Sequence, residues 1–143
     1  MKIKSTLIAM AFLSGEAHAA GCETIEEMDA ADAAISEIHD WTGVNYFYSH
    51  FRQCDDGSIS EGVSATVVSL LAHRWETSDQ LEKKTDTDKT FESWLLNHID
   101  TTVDDRDLEI ILKNATDKCS GSDGKFCEKI GSAANQALQD MKK

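Results

Sequence analysis

Proline is absent from this chain of 143 residues, whereas an average protein contains about 5% proline. Proline is typical of turns, strand edges and extended linkers, so its absence argues against a chain of domains joined by proline-rich segments. The chain is instead rich in Ala, Glu, Asp, Lys and Leu. This composition predicts helices joined by short polar turns, with no internal repeat and no low-complexity tract.

Positive charge is also scarce, because 14 Lys and Arg residues face 26 Asp and Glu residues, for a net charge of −12. A protein of this charge lacks the basic face that nucleic acids or anionic lipid surfaces require. We therefore expect no nucleic-acid partner. We also expect no membrane insertion, because no apolar stretch of the chain is long enough to cross a bilayer. The acidity fits a charge that serves solubility, and it equally fits a protein partner that is basic, since complementary charges speed encounter.

Motifs of several enzyme classes are missing as well. The chain has no HExxH, no GxSxG and no Cys-x-x-Cys sequence, which argues against common zinc and serine-nucleophile sites. The Asp-rich segment 55–61 does not fit a calcium loop, because with Gly57 at loop position 6 the ligand positions 1 and 3 are Arg52 and Cys54. We expect no catalytic residue, no metal and no cofactor. A small cell-wall hydrolase with a carboxylate pair drawn from Glu61, Glu76 and Glu92 is the alternative.

The N-terminus carries the layout of a secretory signal peptide. Lys2 and Lys4 precede a short apolar run over 7–13, and Ala17-His18-Ala19 is a small-x-small cleavage site. The sequence thus predicts a signal peptide at 1–19 and a single helical domain at 20–143. The whole chain is −12 and the first nineteen residues carry +1, so the mature domain is −13. We expect it in the periplasm, or secreted.

Four cysteines, Cys22, Cys54, Cys119 and Cys127, lie in the mature part, and an even number in an exported chain predicts two disulfides. Three pairings are open. The turn-forming sequence between Cys119 and Cys127 favours a bridge there, which leaves Cys22 with Cys54. A metal site is one alternative. Another is lipid attachment at Cys22, which follows the small residues Ala19-Ala20-Gly21.

Apolar residues recur at three- and four-residue spacings, the period of amphipathic helices. They predict an all-α, compact bundle of about five to six helices, arranged as helical hairpins with two disulfides. The expected helices lie over about 25–41, 44–54, 58–75, 88–99, 104–115 and 125–141. Gly62 and Ala65 would let another backbone approach the third helix, and a polar corner is expected over 83–88.

Two stretches carry a resemblance. Phe51-Arg52-Gln53-Cys54-Asp55-Asp56-Gly57 with Trp75, and later Trp94 with His98-Ile99-Asp100, resemble small exported all-helical bacterial proteins of unassigned role. An acidic, helical, disulfide-bearing exported chain is also similar in type to the periplasmic immunity proteins of interbacterial effector systems. That likeness implies a non-enzymatic protein that neutralises a cell-wall-degrading effector, but it supplies no site residues.

These observations favour an exported, non-enzymatic binding or inhibitor protein that blocks a basic cell-wall-targeting effector. Polar turns at helix starts are the expected partner-binding edges. They are formed by Asp55, Asp56, Ser58 and Glu61, and by Asp104, Asp105 and Asp107. A helical envelope stress or chaperone-type protein is an alternative of a different class.

Export is tested by the mass of the protein recovered from the cell envelope. Cleavage after Ala19 gives an N-terminal Ala20 and no lipid. A protein that begins at Cys22 with an added diacylglycerol mass would instead establish lipid attachment and leave an odd cysteine. Intact-mass spectrometry with N-terminal sequencing separates these results.

Overall fold

The computed structural model describes residues 21–119 and 124–143. The predicted signal peptide lies outside these ranges, as does part of the loop between Cys119 and Cys127. Within them the chain forms seven α-helices and no strand, which confirms the all-α bundle with two disulfides. The helices are α1 (Ile25–Ser36), α2 (Trp41–Phe51), α3 (Gly57–His73), α4 (Ser78–Thr87), α5 (Lys89–Asn97), α6 (Asp105–Asp117) and α7 (Lys125–Met141).

Acidic residues start most of these helices. Thr24 and Glu27 form the capping box at α1, with Glu27 N donating to Thr24 Oγ1 at 3.1 Å. Four aspartates occupy N-cap positions and accept a backbone N–H in the first turn that follows: Asp40, Asp56, Asp88 and Asp104. A carboxylate in this place satisfies an otherwise free donor and lies at the positive end of the helix dipole. Part of the acidity of the chain is therefore structural.

The structure has one helix, α4, that the expectation lacks, and it divides the first two helices differently. The first helix ends at Ser36 and a new one begins at Trp41, because the Asp40 carboxylate caps it by accepting from Gly43 N at 2.8 Å. The expected polar corner over 83–88 is the end of α4, which runs to Thr87. Leu81 and Thr85 lie four residues apart and are both buried, so this polar segment has an inward face that composition alone hides.

Both expected disulfides are present. Cys119–Cys127 joins the facing ends of α6 and α7. A Cβ at Gly131 would lie 3.4 Å from Ala115 Cβ, so the two helices run antiparallel in close contact. Cys22–Cys54 ties the segment before α1 to the short 3₁₀ turn Arg52–Cys54. Disulfides of this kind persist in oxidising compartments.

The three tryptophans each use the indole N–H to join distant segments. Trp41 donates to Thr77 Oγ1 at 2.9 Å, and Trp75 donates to the Lys118 carbonyl at 3.0 Å. Both rings are buried in a core that is one continuous cluster. A buried indole needs a partner for its N–H, so these contacts fix where the ends of helices meet. The third, Trp94, belongs to the site below.

The C-terminal end of α3 is closed by a side chain from α6. Asn114 is buried, and its Nδ2 donates to the carbonyls of Leu71 and Ala72 at 3.2 and 3.1 Å. The last carbonyls of a helix have no partner within the helix. Asn114 supplies donors for two carbonyls near this end and holds α6 across α3.

Replacing Asn114 by Ala should therefore lower the free energy of unfolding by about 1–3 kcal/mol, the cost of leaving buried polar groups unpaired. Urea denaturation followed by tryptophan fluorescence measures it. Asn135→Ala, at an exposed position of α7, is the control and should leave stability unchanged or slightly raised. Equal effects of the two substitutions would contradict the capping role of Asn114.

Candidate functional site

Asp55 is a nearly buried carboxylate at the corner between the 3₁₀ turn and α3. Its side chain is 10% exposed. Asp55 Oδ2 accepts hydrogen bonds from Trp94 Nε1 at 2.6 Å and from His98 Nε2 at 2.8 Å. Trp94 lies in α5 and His98 directly follows that helix. This one oxygen therefore connects the segment before α3 to the C-terminal end of α5.

The hydrogen bonds continue through the interior on the other side of the imidazole. His98 Nδ1 lies 2.7 Å from Ser64 Oγ, and Ser64 Oγ donates to Asp100 Oδ2 at 2.7 Å. The other Asp100 oxygen accepts from the backbone N and hydroxyl of Thr102 at 2.9 and 2.6 Å. The network thus connects the corner at Asp55, the middle of α3 and the turn before α6.

The pKa of Asp55 reflects these neighbours. Burial by itself raises the pKa, but the hydrogen bond and the charge of His98, together with the Trp94 hydrogen bond, bring it below its ordinary value of 3.8. A carboxylate whose pKa is lowered by folding stabilises the folded state above that ordinary value. The contribution is lost as pH falls below 3.8, through the lower folded pKa.

Ser64, His98 and Asp55 are the residue types of a nucleophilic triad, but their placement does not suit catalysis. Ser64 is 0% exposed and His98 is 3% exposed. A substrate carbonyl has no route to the Ser64 hydroxyl, and that hydroxyl donates to Asp100. Across 21–119 and 124–143, no group of three or more His, Cys, Asp or Glu side chains is arranged to hold a metal ion. The network is a structural connection.

The first predicted binding edge divides into one inward and three outward residues. Asp55 points into the network just described, so its carboxylate is not presented to a partner, contrary to the expectation. Asp56, Ser58 and Glu61 are exposed at the start of α3. Asp56 and Ser58 line a shallow cavity of about 310 Å³ together with Met28 of α1. This edge is therefore continuous with α1.

The second predicted edge lies far from the first. Asp104 caps α6, Asp105 is exposed in its first turn, and Asp107 Oδ1 lies 2.8 Å from His73 Nε2 at the C-terminal end of α3. His73 is sixteen residues from Gly57, so the two edges are about 24 Å apart along α3 at the helical rise per residue. They do not form one surface.

Charge is segregated along the chain: α1 and α2 contain no Lys or Arg. This segregation was not among the expectations from the sequence. No Lys or Arg occurs between Lys4 and Arg52, so every Lys and Arg of residues 20–143 lies at or beyond Arg52. Residues 20–51 carry seven carboxylates: Glu23, Glu26, Glu27, Asp29, Asp32, Glu37 and Asp40. A count of charge along the sequence would have revealed this segregation; the total charge conceals it.

Apolar side chains are exposed among these carboxylates. Ile25 is 74% exposed, Met28 44% and Tyr46 55%. Only Ala31 of α1 is fully buried, and Gly62 of α3 gives room for Ile35, whose Cδ1 would lie 3.0 Å from a Cβ there. We call the exposed carboxylates Glu26, Asp29, Asp32 and Glu37, with Ile25, Met28 and Tyr46, the N-terminal acidic face.

Comparison with known proteins gives no match to a family model, to a curated protein or to a solved structure. No helix in the described parts of the chain is both long and apolar enough to cross a lipid bilayer. The geometry and charge described above are therefore the basis for inferring a function.

Asp55→Asn should lower the free energy of unfolding by about 1–3 kcal/mol at neutral pH, because a charged acceptor for two buried donors is replaced. Since the ionised form of Asp55 stabilises the fold only above its lowered pKa, the difference from wild type should shrink as pH falls below 3.8. Urea unfolding at neutral pH and at about pH 3 measures both values.

The matched control is Asp56→Asn, the neighbouring exposed residue, because Asn is as good an N-cap as Asp. It should change stability little at either pH. A cost of Asp55→Asn that is the same in acid and at neutral pH would contradict the assigned role of the Asp55 charge.

Proposed function

We propose that the mature domain is an exported, non-enzymatic binding protein of the inhibitor or immunity type. In this proposal it acts in the periplasm and blocks a basic, cell-wall-targeting effector. The observation that carries it is the segregation of charge: a stretch with seven carboxylates and no Lys or Arg forms α1 and α2 and the segments that flank them.

The composition of the N-terminal acidic face supports a protein partner. Glu26, Asp29, Asp32 and Glu37 form no ion pair within the described residues. Unlike the four capping aspartates, Asp29, Asp32 and Glu37 have carboxylates that neither cap a helix nor lie in a first turn, whereas Glu26 lies in the first turn of α1 and also interacts with the helix dipole. Exposed Met28 and Tyr46 belong to residue types that are enriched at protein interfaces. A face that only kept the protein soluble would not need these apolar side chains.

The proposed mechanism is occlusion. Complementary charge steers the acidic face to a basic surface and sets the rate of encounter, while the apolar side chains supply contact area that is removed from water on binding. The inhibitor donates no reacting group. Its two disulfides, at Cys22–Cys54 and Cys119–Cys127, would help keep the domain folded outside the cytoplasm.

Affinity capture from envelope extract with tagged 20–143 tests this function. We expect one stoichiometric basic protein, bound at about 0.1 M salt and released at about 1 M, where the screening length falls from about 10 Å to about 3 Å. Glu26→Lys, Asp29→Lys and Asp32→Lys together should reduce capture about tenfold, since a few rim charges worth up to about 1 kcal/mol each suffice for that factor.

The matched control replaces three exposed carboxylates of α6 and α7 by Lys: Glu109, Asp117 and Glu128. It changes the net charge by the same amount and should leave capture intact. Purified partner should also lose cell-wall hydrolysis on addition of the wild-type domain. A diffuse set of clients would favour the chaperone-type alternative, and equal loss in both charge variants would contradict the acidic face as the binding surface.

A further inference from the structure

A groove lies between the end of α1 and the start of α2, at the edge of the N-terminal acidic face. Its volume is about 520 Å³, within the range of sites that receive a small group or an anchoring side chain. The floor and walls are mainly apolar, and Glu37 and Thr42 stand among them. The apolar lining is formed by Ala33, Ala34, Ile38, Gly43, Tyr46 and Phe51.

Small residues keep this groove open. A Cβ at Gly43 would lie 3.1 Å from the Ile38 Cα, a backbone atom that cannot move aside easily. Gly43, near the start of α2, thus packs against the backbone of the segment that connects α1 to α2, and it also lines the groove. Ala33 and Ala34 add no bulk from the side of α1.

The aromatic wall of the groove is held in place before any partner arrives. The Tyr46 ring stacks on the His50 ring with centroids 4.1 Å apart, and it lies 6.3 Å from the Phe51 ring. Tyr46 is nevertheless 55% exposed. An aromatic side chain that is already ordered loses little conformational freedom on binding, which is why Tyr is frequent among interface anchors.

We infer that this groove receives an apolar side chain from a Lys- or Arg-flanked segment of the basic partner; the inference rests on the proposed function and names the part of the surface that recognises the partner. The negative charge around the groove favours a partner segment that carries positive charge. Glu37 lies in the groove, and no Lys or Arg occurs in α1 or α2. An apolar anchor flanked by positive charge satisfies both the lining and the rim.

The same charge argues against a second copy of this chain as the occupant. A symmetric dimer through the groove would place two N-terminal acidic faces against each other, and like charges brought together without counter-charges are destabilising. An acidic segment of another protein is disfavoured for the same reason.

Site-specific photo-crosslinking in envelope extract tests the inference. The photo-reactive residue p-benzoylphenylalanine replaces, one at a time, Tyr46 in the groove, Ser58 at the α3 edge and Ile110 on α6. We expect an adduct from position 46 and none from position 110. Mass spectrometry of the crosslinked peptide should show an apolar residue flanked by Lys or Arg.

A groove-filling variant accompanies the crosslink. Ala33→Trp adds bulk from an exposed position that lines the groove, so it should leave the fold intact, while Ala30→Trp places the same side chain at an exposed position of α1 outside the lining. The adduct at position 46 should fall about tenfold or more in Ala33→Trp, the loss expected when a central anchor is excluded, and should persist in Ala30→Trp. Circular dichroism checks that both variants fold.

The outcomes separate this inference from the proposed function. A basic protein that crosslinks from position 58 or 110 but not from position 46 would contradict the groove as the binding site. It would leave the proposed inhibitor function intact. An adduct at 46 with a second copy of the chain, or with an acidic segment, would also contradict the inference about the groove. If no position gives an adduct and affinity capture recovers no basic partner, both proposals fail.

Discussion

The position of Asp55 is the constraint on which the arrangement of the helices depends. One carboxylate oxygen accepts hydrogen bonds from Trp94 and His98, and the preceding residue, Cys54, carries the disulfide to Cys22. The following residue, Asp56, caps α3. A nearly buried charge is costly unless donors reach it, and here both donors reach the same oxygen. The same few residues therefore fix the end of α5, the start of α3 and the tether of α1, and the network through Ser64 and Asp100 extends that order to the turn before α6.

Several carboxylates outside the N-terminal acidic face have a structural task. The carboxylates of Asp55, Asp88 and Asp104 are engaged as hydrogen-bond acceptors or caps, and Glu92 lies 2.7 Å from Lys129 in a contact between α5 and α7. Helix α1 contributes little to the core and is anchored instead by the Cys22–Cys54 bridge and its packing on α3. Glu26 and Glu27 stabilise the start of α1, but its later carboxylates, Asp29 and Asp32, and its exposed apolar residues serve no evident structural role. The buried carboxylates and those at helix starts therefore have structural roles, and we propose partner binding as the role of the exposed carboxylates that remain.

Sequence patterns predict every helix except α4, because apolar spacing acts locally, and both disulfide pairings are confirmed. The partnership of Asp55 with His98 joins residues 43 positions apart, and no local pattern reports it. Asp55 therefore looked like a surface residue beside Asp56. The residues that resemble those of exported helical proteins include Asp55, Trp94, His98 and Asp100. These four residues lie in the interior network, so the resemblance carries no information about a partner. The charge segregation was readable from the sequence, but the groove beside Gly43 required the packing of α1 on α2.

Amide hydrogen exchange of residues 20–143, alone and bound to the basic protein that we propose as its partner, tests the central claim most directly. The account predicts new protection in residues 25–51, strongest around Ala33, Gly43 and Tyr46. It also predicts unchanged exchange in the hairpin of α6 and α7. Protection confined to 105–141, or changes centred on Ser64 and His98 with none in α1 and α2, would contradict the assignment of the N-terminal acidic face as the working surface.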